Sequence, residues 1–169
     1  MNRSHLADVI SALNSGPVRY LVVGGLAVVA HGFARATLDL DLVLDLEDEN
    51  VRKAIDILRN LGYKPMVPEP IEHFADPATR RSWIVDRNMI AFQIKSDRMP
   101  AVPIDILVQP PFDVAAEIAR STPREVLEGV SMPVLAFDTL LRMKRSAGRV
   151  KDTRDADALE QLQRYRDEI

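Results

Sequence analysis

The feature that most constrains this chain is a pair of aspartates set inside an apolar run, Leu38-Asp39-Leu40-Asp41-Leu42-Val43-Leu44. Side chains alternate along a strand, so the four leucines share one face and the two aspartates share the other, roughly 6.5–7 Å apart at ~3.3 Å per residue. Two carboxylates so placed repel each other, and burial adds a desolvation cost. One reading makes them the wet side of an amphipathic strand. The other has a divalent cation remove both costs, since Mg²⁺ prefers hard oxygen donors and needs only one or two carboxylates beside substrate phosphates. Asp is depleted in strands, so two at i and i+2 favour the second reading. Asp45 has the same parity but ends the run, where it is expected to cap the next helix. Asp105 repeats the pattern among Ile104, Ile106 and Val108. Three carboxylates on neighbouring strands would suffice for two ions and an in-line phosphoryl displacement. Alternatively Asp105 is an exposed residue on an edge strand, as the nearby Pro103 signals.

Composition narrows the chemistry further. The chain has no cysteine and three histidines, at positions 5, 31 and 73, so thiolate sites and His-rich zinc sites are excluded. A formal net charge of −3 excludes a uniformly basic nucleic-acid binder. The N-terminus has no long apolar core, and no stretch approaches the ~18 apolar residues of a membrane span. A cytoplasmic protein using a carboxylate-held hard cation is expected. At 169 residues, one domain over 1–169 is expected, with a catalytic sheet over about 18–110 and a helical part over about 112–169.

Periodicity then orders the elements. Leu6, Val9, Ile10 and Leu13 mark an opening helix stopped by Gly16-Pro17. Tyr20–Val23 reads as a buried strand, Gly24-Gly25 as a turn into a small-residue helix, and Leu38–Leu44 as a second strand. The next helix carries Val51, Ala54, Ile55, Leu58 and Leu61. Prolines 65, 68 and 70 predict loop or edge segments over 64–77. Ser82–Val85 and Met89–Ile94 read as paired strands around Asp86-Arg87-Asn88, with Trp83 in hairpin or core packing. A strand at 104–108, a helix at 112–120, a short strand at 133–135 and helices at 137–146 and 151–165 complete an α+β domain: a mixed sheet with helices packed on it and a helical C-terminal segment.

Two further segments carry chemistry. Gly24-Gly25 between strand and helix either permits tight packing or lets backbone N–H groups approach a phosphate. Arg142, Lys144, Arg145, Arg149, Lys151 and Arg154 crowd thirteen residues. They form either a solvated helix face, with Lys151 and Asp155 as an i, i+4 pair, or a phosphate-binding patch. His31 reads as a helix-end cap, and Arg35 and Thr37 either orient the acidic strand or touch phosphate.

Val23-Gly24-Gly25, thirteen residues, then Asp39-Leu40-Asp41 resembles the signature of the polymerase-β-type nucleotidyltransferase superfamily. Arg35-Ala36-Thr37-Leu38-Asp39-Leu40-Asp41 is similar to the Arg-x-Thr-x-Asp-x-Asp of its AbiEii-like (abortive-infection toxin) branch. Leu141-Arg142-Met143-Lys144 and Ala147-Gly148-Arg149-Val150-Lys151-Asp152 with Asp155 resemble that branch's C-terminal motifs. The resemblance implies a nucleotidyltransferase fold and transfer of an NMP from an NTP, such as ATP, to a hydroxyl of RNA, protein or a small molecule. It implies two Mg²⁺ ions, or Mn²⁺, on Asp39 and Asp41 with Asp105 as third carboxylate. Gly24 and Gly25 would hold the triphosphate, Lys144 and Lys151 would contact nucleotide or acceptor, and Asp152 matches a late acidic motif. Where many members have Gly-Ser, Gly25 offers only backbone. The alternative is a nucleotide-sensing or partner-binding module, with a cognate toxin or antitoxin as partner.

Overall fold

A computed structural model describes residues 3–127 and 129–168. Leu6, Val9, Ile10 and Leu13 are all buried along one side of α1 (Arg3–Ser15), as their spacing requires. β1 (Tyr20–Val22) follows, then α2 (Gly24–Ala30), β2 (Leu40–Leu44) and α3 (Asp48–Asn60). Next come β3 (Tyr63–Pro65), a 3-10 turn (Ile71–Ala75), α4 (Pro77–Arg87), β4 (Ala91–Ser96) and β5 (Ile104–Leu107). The chain ends with α5 (Val114–Arg120), β6 (Thr122–Leu127), β7 (Val130–Val134), α6 (Phe137–Ala147) and α7 (Val150–Asp167). The described strands form one mixed sheet in the order β3-β4-β5-β2-β1-β7-β6. β2–β5 and β1–β7 are parallel; the other neighbours are antiparallel. No helix among the described residues is long and apolar enough to cross a membrane.

The α+β class and the mixed sheet agree with expectation, and five local readings do not. Residues 82–85 belong to α4 rather than to a hairpin strand. Asp76 caps that helix by accepting from the N–H groups of Ala78 and Thr79, Pro77 occupies its first turn, and Asn88 closes it in the left-handed region at φ 48°. These end signals outweigh the β-branched Ile84-Val85, and Val85 is simply exposed. Second, β2 starts at Leu40, and Leu38 is 71% exposed rather than buried with its fellow leucines. Its first ladder bond runs from Leu40 N–H to the Pro103 carbonyl, and Pro103 has no N–H with which to extend the pairing. Third, β5 lies between β4 and β2, so Pro103 precedes an interior strand and does not mark an edge. Fourth, Thr122–Leu127 and Val130–Val134 pair as β6 and β7 and extend the sheet, so the C-terminal part is not wholly helical. Asp45 also does not cap α3: Glu47 does, while Asp45 pairs with Arg19.

The sheet separates two faces. Trp83 of α4 stacks on Phe92 of β4 at 4.8 Å, and Phe74 of the 3-10 turn packs 5.5 Å from Phe92. Phe92 and Ile94 alternate with exposed Gln93 and Lys95. The aromatic cluster thus fills one face of the sheet while Gln93 looks out from the other. Trp83 is 1% exposed, so Trp83→Ala is expected to cost about 3–5 kcal/mol through lost burial and the cavity left behind. Chemical denaturation checks this; a loss below about 1 kcal/mol would contradict the packing.

Candidate active site

The register of β2, β5 and β4 builds a polar row across the outward face. Asp41 is the direct partner of Asp105, and Asp105 of Gln93. Adjacent strands lie about 4.8 Å apart, so two carboxylates stand side by side. Nε2 of Gln93 donates to both oxygens of Asp105, at 3.2 and 3.3 Å. Gln93 is a residue that the sequence reading missed, since its role depends on strand register alone. Asp39 sits in the run-in to β2, and its carbonyl accepts from the Thr37 hydroxyl at 3.4 Å. Burial, then the charge of Asp105, pushes the Asp41 carboxyl up to about 6, against the Gly25 N–H and Lys144. Asp105 is also raised, by burial first and also by Asp39, against the Gln93 hydrogen bond and the charge of Lys151.

The glycine turn is fitted to these aspartates. Gly24 has φ 62°, and a Cβ built there would lie 1.8 Å from Oδ2 of Asp41. Both the backbone conformation and the absent side chain are therefore required. The Gly25 N–H donates to the same Oδ2 at 3.4 Å. A Cβ at Gly25 would lie 2.6 Å from the Thr37 hydroxyl and 3.2 Å from Nη1 of Arg35. Tight approach and backbone N–H groups facing the site are thus both present. The neighbouring His31 is structural: its buried ring donates Nε2–H to the Leu135 carbonyl at 2.8 Å and meets Phe137 edge-on.

Across the site, the basic segment folds into an ion network. Lys144 is 5% exposed and reaches Asp152 and Asp155, each at 2.9 Å. Arg35 shares Oδ2 of Asp155 with Lys144, at 2.6 Å, and Arg149 pairs with the second oxygen of Asp152 at 2.5 Å. Burial raises the Asp152 carboxyl, but the bonds from Lys144 and Arg149 outweigh it and hold it below the usual range. Asp155 therefore serves Lys144 and Arg35, and does not form the i, i+4 pair with Lys151. Lys151 stays exposed near Asp105.

One pocket of about 470 Å³ collects all of this. Gly24, Gly25, Arg35, Thr37, Asp39, Asp41, Asp105, Lys144, Lys151 and Asp152 all line it. Among the described residues no three His, Asp or Glu side chains are gathered into a metal-binding cluster, so Asp39, Asp41 and Asp105 line the pocket without closing on one point. The donor set still suits a hard cation in an open site, because Asp41 and Asp105 offer neighbouring carboxylates whose repulsion a cation relieves, and Mg²⁺ takes its remaining ligands from water and phosphate.

Comparison with solved structures shows the fold. The chain is similar to the lincomycin-bound lincosamide antibiotic adenylyltransferase LnuA, with a TM-score of 0.64 and 16% identity over 96% of this chain and 98% of that one. It is also similar to ANT(2″)-Ia in complex with adenylyl-2″-tobramycin, with a TM-score of 0.56 and 13% identity over 95% and 91% of the two chains. A candidate nucleotidyltransferase of Thermotoga maritima gives a TM-score of 0.56 at 16% identity over 97% and 91%. By sequence, no family model and no curated protein matches. The chain has the nucleotidyltransferase fold.

Two outcomes follow from the site. The folded chain holds the Asp41 proton more tightly than the unfolded chain does, so ionising Asp41 costs stability. That cost is absent below about pH 4, grows between pH 4 and 6, and is complete above about pH 6. Asp41→Asn, measured without divalent cation, is expected to gain about 2 kcal/mol at neutral pH and nothing near pH 4; a pH-independent change would contradict the burial. Gly24→Ala forces Asp41 aside and strains the turn, with an expected loss of about 1–3 kcal/mol in thermal stability. An unchanged melting temperature would contradict the contact.

Proposed function

We propose that this chain is a nucleotidyltransferase that moves a nucleoside monophosphate from an NTP to an acceptor hydroxyl. The observation that carries this reading is the convergence of separate segments on one pocket. Residues of 24–25, 35–41, 105 and 144–152 meet there and bring aspartates and basic side chains to one cavity. The motif text Arg35–Asp41, Leu141–Lys144 and Ala147–Asp152 with Asp155 supports a reading within the AbiEii-like branch, where a cognate toxin or antitoxin would be its partner.

In the reaction the acceptor oxygen bonds to the α-phosphorus while the bridging bond to the β-phosphate breaks. Pyrophosphate then leaves with that bridging oxygen, and the hydroxyl proton is lost. Catalysis of this kind is mostly positioning and charge neutralisation. Asp39, Asp41 and Asp105 would hold Mg²⁺, which supplies charge for the triphosphate and acidity for the acceptor hydroxyl. The backbone at Gly24-Gly25 lets the triphosphate come close, and Arg149 and Lys151 face it with positive charge. Gln93 fixes the Asp105 carboxylate toward the acceptor. The Arg35–Asp155–Lys144–Asp152 network holds the start of α7, and so Lys151, against the loop that carries Asp39.

Calorimetric titration of NTPs with and without Mg²⁺ tests the reading. Wild-type chain is expected to bind at least one NTP only with Mg²⁺, and Asp39→Ala/Asp41→Ala is expected to lose at least 100-fold in affinity, about 2.7 kcal/mol. Metal-independent binding that the double variant retains would leave a nucleotide-sensing module and sink the catalytic reading.

A further inference from the structure

The outward sheet face continues past the pocket, and its charges are not accounted for by the fold. Lys64 on β3 and Lys95 on β4 are direct partners in an antiparallel pair, and both are exposed. Like charges directly opposite each other destabilise a sheet. Neither amino group has an ion-pair partner among the described residues. An edge-strand lysine ordinarily guards the edge against pairing with another chain. That explains Lys64 alone, because β4 is paired on both sides and needs no guard.

Register places these lysines beside the reacting groups. Lys95 is two residues from Gln93, the partner of Asp105, and lies on the same face. Lys95 is level with Pro103 and hence with Asp39, just before Leu40 meets Ile104. At about 4.8 Å per strand, the Lys95 backbone lies roughly 10 Å from Asp39. Lys151, also without an ion-pair partner among the described residues, stands near Asp105.

We propose that Lys64 and Lys95 form a phosphate subsite for single-stranded nucleic acid, whose terminal hydroxyl is presented to Asp105 as acceptor. The proposal rests on the nucleotidyltransferase reading above and names its acceptor class. A small ligand is held by a concave site that buries most of its surface. The two lysines lie outside the pocket lining, on open sheet. An open face with spaced cations suits an extended phosphodiester chain, bound electrostatically along its backbone. Met66, exposed and paired alongside Gln93, offers apolar surface to a base between the lysines and the pocket.

The test is fluorescence anisotropy of a labelled single-stranded RNA of about 12 nucleotides, titrated with the full chain over a range of salt. Each lost phosphate contact lowers the slope of log affinity against log salt by about 0.7 for a single strand, so Lys64→Ala/Lys95→Ala is expected to lower it by about 1.4. Arg52→Ala/Arg81→Ala removes two exposed charges from α3 and α4 and is expected to leave the slope unchanged. Mg²⁺-dependent NTP affinity is expected to stay at wild-type level in the lysine variant. Equal slopes in the two double variants would overturn the proposal, as would loss of NTP affinity in the lysine variant. It is also overturned if wild-type chain ignores RNA but binds a sugar phosphate in a lysine-dependent way, since the acceptor is then a small molecule. Loss of NTP binding in wild type, with the RNA slope difference intact, would instead count against the nucleotidyltransferase reading alone.

Discussion

A bare backbone at Gly24 lets the Asp41 carboxylate come as close as a side chain's own Cβ would. Much of the site depends on that contact. It brings β2 and the start of α2 together, aims the Gly25 N–H at Asp41, and leaves room for Thr37 and Arg35 beside Gly25. It also forces an aspartate into partial burial next to Asp105, which no stability argument would favour. Strain and like-charge crowding of this sort cluster at functional sites, where a ligand makes use of them. The molecule holds two carboxylates in readiness for positive charge.

The second support is the buried ion network on the far wall. Lys144 carries its charge into the interior between Asp152 and Asp155, with Arg149 on the second oxygen of Asp152 and Arg35 sharing Oδ2 of Asp155. Removing one member would leave uncompensated buried charge, a cost commonly of about 3–5 kcal/mol. The same interaction that secures α6 and α7 therefore sets the geometry of the loop before Asp39. Stability and site geometry are coupled here through Arg35, which borders both the glycine turn and Asp155.

Much of this was legible in the chain itself. Alternation placed Asp39 and Asp41 opposite the buried leucines, and the glycine turn was visible as a break between two elements. The face was read correctly even though β2 begins one residue later than Asp39. Asp105 was harder, since Pro103 read as an edge signal while in fact ending the β2 pairing from one side. α4 was misread because Ile84-Val85 has strand character, whereas its identity comes from Asp76-Pro77 and Asn88 at its ends. Gln93 and the Lys64–Lys95 pair had no local signal at all, because their meaning lies in cross-strand register. Burial of Lys144 likewise depends on the turn at Gly148, which brings Asp152 and Asp155 back upon it.

On the proposed function, a nucleoside monophosphate, and not a terminal phosphate, is transferred at the aspartate pocket. The direct measurement is incubation of the chain with Mg²⁺, total cell RNA, protein and metabolites, and NTPs labelled in parallel at the α- or the γ-phosphate. Acid-stable label is expected in one product class from α-labelled NTP only, with release of pyrophosphate, and none with Asp105→Asn. Label carried over from the γ-position, or transfer unaffected by Asp105→Asn, would contradict it.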